Sequence, residues 1–186
     1  MKRVVVSDSS SADTALRVLS SPIDYLVVDV ETTGLRPYHG DSITGVAVHV
    51  PDEVSFYIPR EAPFFSEALK LIPAANTVVG FNLKFDLHFL GLAGMKDPER
   101  IEDVMLAAHL LNENESLSNG GMSGAYQLKR LASKYLGVDS TKENDQLMAE
   151  LKALGLSKSD MHKLPPALVA DYAMADVELT WRLRQF

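Results

Sequence analysis

The stretch YLVVDVETTGL, residues 25–35, decides how the rest of the chain is to be read. Its apolar, β-branched first half predicts a buried strand. Asp29 and Glu31 lie two positions apart in or beside the most hydrophobic part, and strand residues i and i+2 share a face, so the two carboxylates project together. Left alone they repel. Burying even one unpaired carboxylate costs several kcal/mol, on the scale of a domain's whole net stability. A cation therefore belongs between them, and the candidates are Lys or Arg side chains, protons, or a divalent metal.

With 46% hydrophobic and 23% charged residues in 186, the composition is globular, and the expectation is one domain over residues 1–186. The chain has no Cys, which removes disulfides, thiolate zinc sites and cysteine nucleophiles together. Its start, MKRVVVSDSSS, holds three consecutive valines, too short for a signal-peptide core, and no later apolar run approaches a membrane span. A soluble, cytoplasmic protein with no membrane partner is expected. The net charge of −7 argues at first against a nucleic-acid partner. Two bound divalent ions would offset more than half of it and turn an acidic site into a phosphate receptor, so net charge does not decide the question.

Outward from the opening stretch, the pattern predicts a mixed α/β fold. A possible short strand at Val4–Val6 precedes a capped amphipathic helix, SSADTALRVLSS, that Pro22 brings to an end. Residues 25–30, 44–50 and 54–58 read as antiparallel strands, the last two joined by the hairpin HVPDEV. Then strand and helix alternate: a helix in APFFSEALKLI, a buried strand TVVGF (77–81), and a helix in NLKFDLHFLGL that Asn82 would cap. A brief strand and a helix follow in RIEDVMLAAHLLN, with Asp103 as a plausible cap. After it comes a polar, Gly/Ser-rich loop at 112–124. Three helices complete the chain: one stopped by Gly137, one around 144–154, and a long last one with Pro in its first turn. The result is a five-stranded mixed sheet, antiparallel first and parallel later, flanked by helices.

Two more carboxylates fall where an apolar helix face is expected. Asn82 and Asp86 in FNLKFD, and Tyr172 and Asp176 in DYAMAD, are each four residues apart and share a helical face. If the first long strand and the strand at 77–81 are neighbours, the helix after the latter approaches Asp29 and Glu31, and the last helix can pack across both. Four carboxylates then converge, a cluster that is unstable without cations and whose all-oxygen ligands suit Mg2+ or Mn2+. A two-metal site is expected, with ions about 3.5–4 Å apart that bind a scissile phosphate and acidify the attacking water. Tyr172, a poor base at neutral pH, would orient that water by hydrogen bonding.

VVDVETTGL, VVGFNLKFD and YAMAD, in this order and spacing, resemble the three motifs of the DEDD superfamily of 3'-5' exonucleases, and Tyr172 marks the tyrosine subclass. The resemblance is greatest to the proofreading domain of bacterial family A DNA polymerases. It runs from about residue 23 to the C-terminus, taking in GVAVHVPDEVSFYIP, DVMLAAHLLN and LASKYLG. It implies a ribonuclease H-like fold. It also implies that Asp29 bridges both metals, that Glu31 and Asp176 complete the tighter site, and that Asp86 holds the second ion largely through water. Thr32 and Leu35 match positions that contact and wedge the 3'-terminal nucleotide, and Asn82 a position lining that pocket. The implied reaction is hydrolysis of the last phosphodiester of a single-stranded DNA 3' end, releasing nucleoside 5'-monophosphates. A DNA polymerase in cis or in trans is the implied partner. No polymerase region follows in this chain, which then reads as a stand-alone exonuclease or an excised domain.

Blander readings stand beside these. Asn82 is explained as well by a helix cap, and Asp103 is better explained by capping than by metal. His162 lies fourteen residues before Asp176, where the histidine subclass needs a spacing of five, and is expected at the surface. No other His falls in a metal-binding repeat. Lys84, Lys129, Arg130 and Lys134 could steer a phosphate backbone, although helical Lys and Arg are usually solvated. Phe81, Phe85 and Phe89 recur every four residues, as core residues do. Two other functions stay open: RNA 3'-end trimming within the same superfamily, and a non-catalytic module that holds a 3' end or docks a polymerase. The complete carboxylate set disfavours the latter, because a pure scaffold could replace Asp29 or Glu31 and lose their repulsion.

Overall fold

The computed structural model describes residues 2–114, 126–139 and 141–186. Most of the Gly/Ser-rich loop expected at 112–124 lies outside the described residues. Six strands form one sheet in the order β1-β4-β3-β2-β5-β6: β1 Lys2–Val5, β2 Tyr25–Thr32, β3 Ile43–Val50, β4 Val54–Pro59, β5 Thr77–Gly80 and β6 Ile101–Asp103. β2, β3 and β4 are an antiparallel meander; β5 and β6 run parallel to β2 beyond it, and β1 runs parallel to β4 at the other edge. The sheet thus exceeds the expected five strands by one. The sixth, β1, overlaps the possible short strand expected at Val4–Val6; it is an edge strand paired with β4, and that pairing comes from tertiary contact that so short a run does not announce.

Helices cover both faces, which explains why β3 and β4 are buried almost throughout and carry no clean polar alternation. On one face α1 (Ser9–Leu19), α2 (Phe65–Leu71) and α3 (Leu83–Leu92) close a core that includes Leu19, Leu26, Phe56, Leu69, Phe89 and Leu90. On the other, α4 (Val104–Leu111), α5 (Leu128–Leu136), α6 (Lys142–Ala153) and α7 (Pro166–Arg184) pack on Val27, Ala47, Tyr57 and Val79. Each fully buried Leu or Phe contributes about 1.5–3 kcal/mol, so the two cores hold the sheet rigidly between layers. Phe89 and Phe85, with ring centroids 5.0 Å apart, belong to the first core and Phe81 packs against the second, which settles their role as packing.

The alternation of β2 sorts its side chains: Leu26, Val28 and Val30 enter the first core, while Val27 faces the second. Asp29 and Glu31 share the phase of Val27 and therefore project toward α7. α1 starts at a reciprocal cap in which the Asp8 carboxylate accepts from the Ser11 amide, and α5 stops at Gly137, whose φ of 63° suits glycine. α3 departs from expectation. Asn82 precedes it with φ 62° and its side chain makes no capping bond. The Asp103 carboxylate, arriving from the end of β6, accepts from the Asn82 and Leu83 amides at 3.0 and 2.9 Å and also from Met105, capping α3 and α4 together. Among the described residues, no helix is long and apolar enough to cross a membrane.

Candidate active site

β2 and β5 are parallel neighbours only from Tyr25 to Val27, after which β5 ends at Gly80 and β2 runs on alone on that side. A crevice opens there, outside the carboxyl ends of the two strands, where ligands of α/β sheets tend to bind. The Val30 amide has lost its ladder partner, and the Asp86 carboxylate of α3 accepts its proton at 3.0 Å. That one bond ties α3 to β2 between Asp29 and Glu31. A bulge between Glu31 and Thr32 ends the regular pairing with β3 and re-aims the chain at the crevice mouth.

From the other side α7 crosses the sheet and brings Tyr172 and Asp176 down onto the same spot. The four carboxylates feel one another. Burial, then the Asp176 charge, push the Asp29 carboxyl up to about 8, with Lys129 pulling it back. Burial, Asp29 and Asp176 hold Glu31 well above the ordinary carboxylate range against Lys158 and Lys129. Asp86 is raised by burial and by Asp29, against the Val30 amide. Asp176 is raised by burial, opposed by Lys129 and the Tyr172 hydroxyl. Glu31 and Asp86 are buried, while Asp29, Tyr172 and Asp176 keep part of their surface open, so the cluster is the floor of a cleft with access from one side.

Burial and the charges of Asp176, Glu31 and Asp29 raise the Tyr172 phenol. It stays protonated through the physiological range and can donate a hydrogen bond or orient a water, and it cannot act as a general base. Two ammonium groups attend it: Lys129 Nζ lies 4.0 Å and Lys158 Nζ 5.4 Å from its ring centroid, and Lys158 Nζ reaches Tyr172 Oη at 3.5 Å. Lys129 Nζ also sits 3.3 Å from Asp176 Oδ1.

Among the described residues, no three His, Asp or Glu side chains stand gathered as a ready-made ion cage. The donor set nevertheless fits a hard divalent ion. All four donors are carboxylates, which Mg2+ and Mn2+ prefer. Asp176 Oδ1 is buried and accepts no well-formed hydrogen bond, and the Lys129 ammonium already stands 3.3 Å from it, so this oxygen is matched to a cation.

The other expected site residues line the approach. Thr32 is on the bulge and its hydroxyl donates to the Gly34 carbonyl at 2.6 Å, bracing the turn that carries Leu35, whose side chain is 80% exposed. Asn82 is exposed at the head of α3. His162 is exposed, as expected. Two contributors escaped the sequence reading: Lys158, from a 3-10 turn with no signal of its own, and Tyr57. Tyr57 looks like any core aromatic, yet its hydroxyl lies across Gly45, which is paired with Glu31; a Cβ on Gly45 would lie 2.2 Å from that oxygen. Burial and the Glu31 charge raise the Tyr57 phenol, which stays a donor beside the carboxylate.

A family model described as 3'-5' exonuclease matches residues 3–186. The chain belongs to this 3'-5' exonuclease family. Over 166 residues the exonuclease chain is 34% identical to the DNA polymerase DpoZ of Vibrio phage phiVC8, covering 83% of this chain and 26% of that protein. It is 26% identical over 168 residues to the DNA polymerase I of Borreliella burgdorferi, covering 86% of this chain and 16% of the other. The chain thus spans only about a quarter, or less, of the length of these relatives. In fold it is similar to the RNase D of Trypanosoma brucei, with a TM-score of 0.71 at 15% identity over 99% of this chain and 64% of that one. It is also similar to Brucella melitensis NrnC with bound Mg2+, with a TM-score of 0.64 at 21% identity over 99% and 78%. These likenesses agree with the ribonuclease H-like architecture.

Proposed function

We propose that residues 1–186 act as one metal-dependent 3'-5' exonuclease domain that removes the terminal nucleotide of single-stranded DNA as a 5'-monophosphate. The observation that carries the reading is the meeting of Asp29, Glu31, Asp86 and Asp176, drawn from β2, α3 and α7, beside a protonated Tyr172. All four carboxylates would hold the divalent ions, Mg2+ or Mn2+. When bound, such ions neutralise charge on the scissile phosphate and acidify the attacking water.

The chain's own groups do the rest. Tyr172 holds and orients the water through its hydroxyl, kept neutral by burial and then by the surrounding carboxylates. Asp86, fixed on the Val30 amide, keeps α3 in register with β2 so that the cluster does not splay under its own repulsion. Leu35, exposed at the cleft mouth on the braced turn, wedges the terminal base away from its neighbour, with Thr32 and Asn82 lining the same pocket. Lys158 at the Tyr172 hydroxyl brings positive charge to where phosphate arrives.

DNA is favoured because the sequence relatives are DNA polymerases, a replication and proofreading setting in which a polymerase would be the partner in cis or in trans. RNA is the second reading, favoured by the structural likeness to RNase D and by a NrnC structure described as bound to pGG. Matched 5'-labelled DNA and RNA oligonucleotides with Mg2+ separate them. The proposal expects a ladder shortening one nucleotide at a time from the 3' end, faster on DNA. No shortening with Mg2+ or Mn2+ refutes it, and faster loss of RNA transfers the assignment.

A further inference from the structure

We infer that Lys129 is a built-in counter-cation of the carboxylate cluster, one that a divalent ion must displace from Asp176 and that therefore sets the metal affinity of the site. The inference rests on the metal-holding reading above and assigns Lys129 a role distinct from steering a phosphate backbone.

Lys129 opens α5, a helix fixed against the second core by Leu131. Its side chain is only 24% exposed, and a Lys so far from water needs a reason. The reason is the cluster: its ammonium lies at Asp176, and its charge acts on Asp29 and Glu31 as well. Among the described residues Lys129 acts on three of the four carboxylates, and Lys158 on Glu31 and Asp176.

The contact is built to be exchanged. At 3.3 Å it is longer than the roughly 2.7–2.9 Å of a charge-assisted hydrogen bond. The Asp176 oxygen it touches is the buried one with no hydrogen bond, so nothing else holds that oxygen to the protein. An ammonium on a flexible four-carbon stem can swing aside as an ion takes its place at the carboxylate. It also has a place to go. Beside Asp176 lies a cavity of about 170 Å3 whose lining includes Lys129, Asp139, Arg3 and Arg182; Arg3 already pairs with its Glu143 and Glu178, so Asp139 is the acidic group there that the displaced ammonium can approach. The Tyr172 ring, 4.0 Å away, offers its face along the route.

The test is a Mn2+ titration of the full chain by calorimetry, with wild type, K129M and K129R at one pH and ionic strength. K129M removes both the competitor and a like charge, and is expected to bind Mn2+ about tenfold tighter, while K129R stays near wild type. In EDTA K129M should melt below wild type, and Mn2+ should close that gap. Equal or weaker Mn2+ binding by K129M overturns the inference, even if its melting temperature falls, since a merely structural Lys would move stability alone. K129Q carries the same comparison if K129M folds poorly. Absence of Mn2+ binding in wild type and variants alike would instead sink the metal-holding reading itself, a distinguishable result.

Discussion

Replacing Asp29 by Asn should make the protein more stable while abolishing its function, and the size of the gain follows from the site's electrostatics. The Asp29 carboxyl titrates at about 8 against an ordinary 3.8. Because the folded value is the raised one, the native state keeps its proton after the unfolded chain has lost it. Stability is therefore greatest below about pH 4 and falls as pH climbs, the loss being complete once pH passes about 8. The whole shift corresponds to at most about 6 kcal/mol, and partial access to solvent with sharing of charge among four carboxylates reduces this to about 1–3 kcal/mol. For a chain of this length that is roughly 3–10 °C in melting temperature. The assay is thermal melting in EDTA at pH 5 and pH 8.5. Asn mimics the protonated acid in shape, so Asp29→Asn and wild type should melt much closer together at pH 5, where only the first part of the loss has accrued, than at pH 8.5. The variant should melt several degrees higher at pH 8.5 and cleave no oligonucleotide with Mg2+. A variant that melts at or below wild type at pH 8.5 would show that Asp29 is not under electrostatic strain, and the reasoning would fail.

Tyr172→Phe should leave Mn2+ affinity within about twofold and lower turnover by about 10–100-fold, with no new pH dependence between 6 and 9; a variant with unchanged turnover would remove Tyr172 from the chemistry. Asp103→Ala strips an acceptor from the Asn82, Leu83 and Met105 amides and should cost about 1–3 kcal/mol in urea unfolding, with Mn2+ still bound once the protein is folded. If metal binding vanished in the folded variant, Asp103 would be a ligand after all. Gly45→Ala forces its Cβ onto the Tyr57 hydroxyl and should cost about 1–3 kcal/mol while weakening Mn2+ binding through Glu31. An unchanged melting temperature would mean that Tyr57 moves freely and does not support the carboxylate.

Much of the candidate site could be proposed because the chemistry contradicts the folding pattern: Asp29, Glu31, Asp86 and Asp176 each interrupt an apolar face, and a shared cation would reconcile them. The pairing of β2 with β5, which carries α3 to Asp29, was likewise foreseen from strand order. What escaped was whatever depends on tertiary geometry alone. β1 is too short and too exposed to declare a pairing. Asn82 reads as a cap because Asn often is one, but the chain turns there at positive φ and the capping carboxylate comes from Asp103, twenty-one residues on. Lys129 and Lys158 look like ordinary solvated helix and turn residues, and only packing brings their ammonium groups to the Tyr172 ring. Tyr57 is a core residue in every respect except where its hydroxyl ends.

A crystal of the protein grown with Mn2+ and thymidine 5'-monophosphate, measured at the manganese edge, tests the central claim most directly. Anomalous peaks should fall within coordination distance of Asp29, Glu31, Asp86 and Asp176, with the nucleotide phosphate against them and Tyr172 alongside. Peaks bound elsewhere, or none while nucleotide occupies the cleft, would contradict the account.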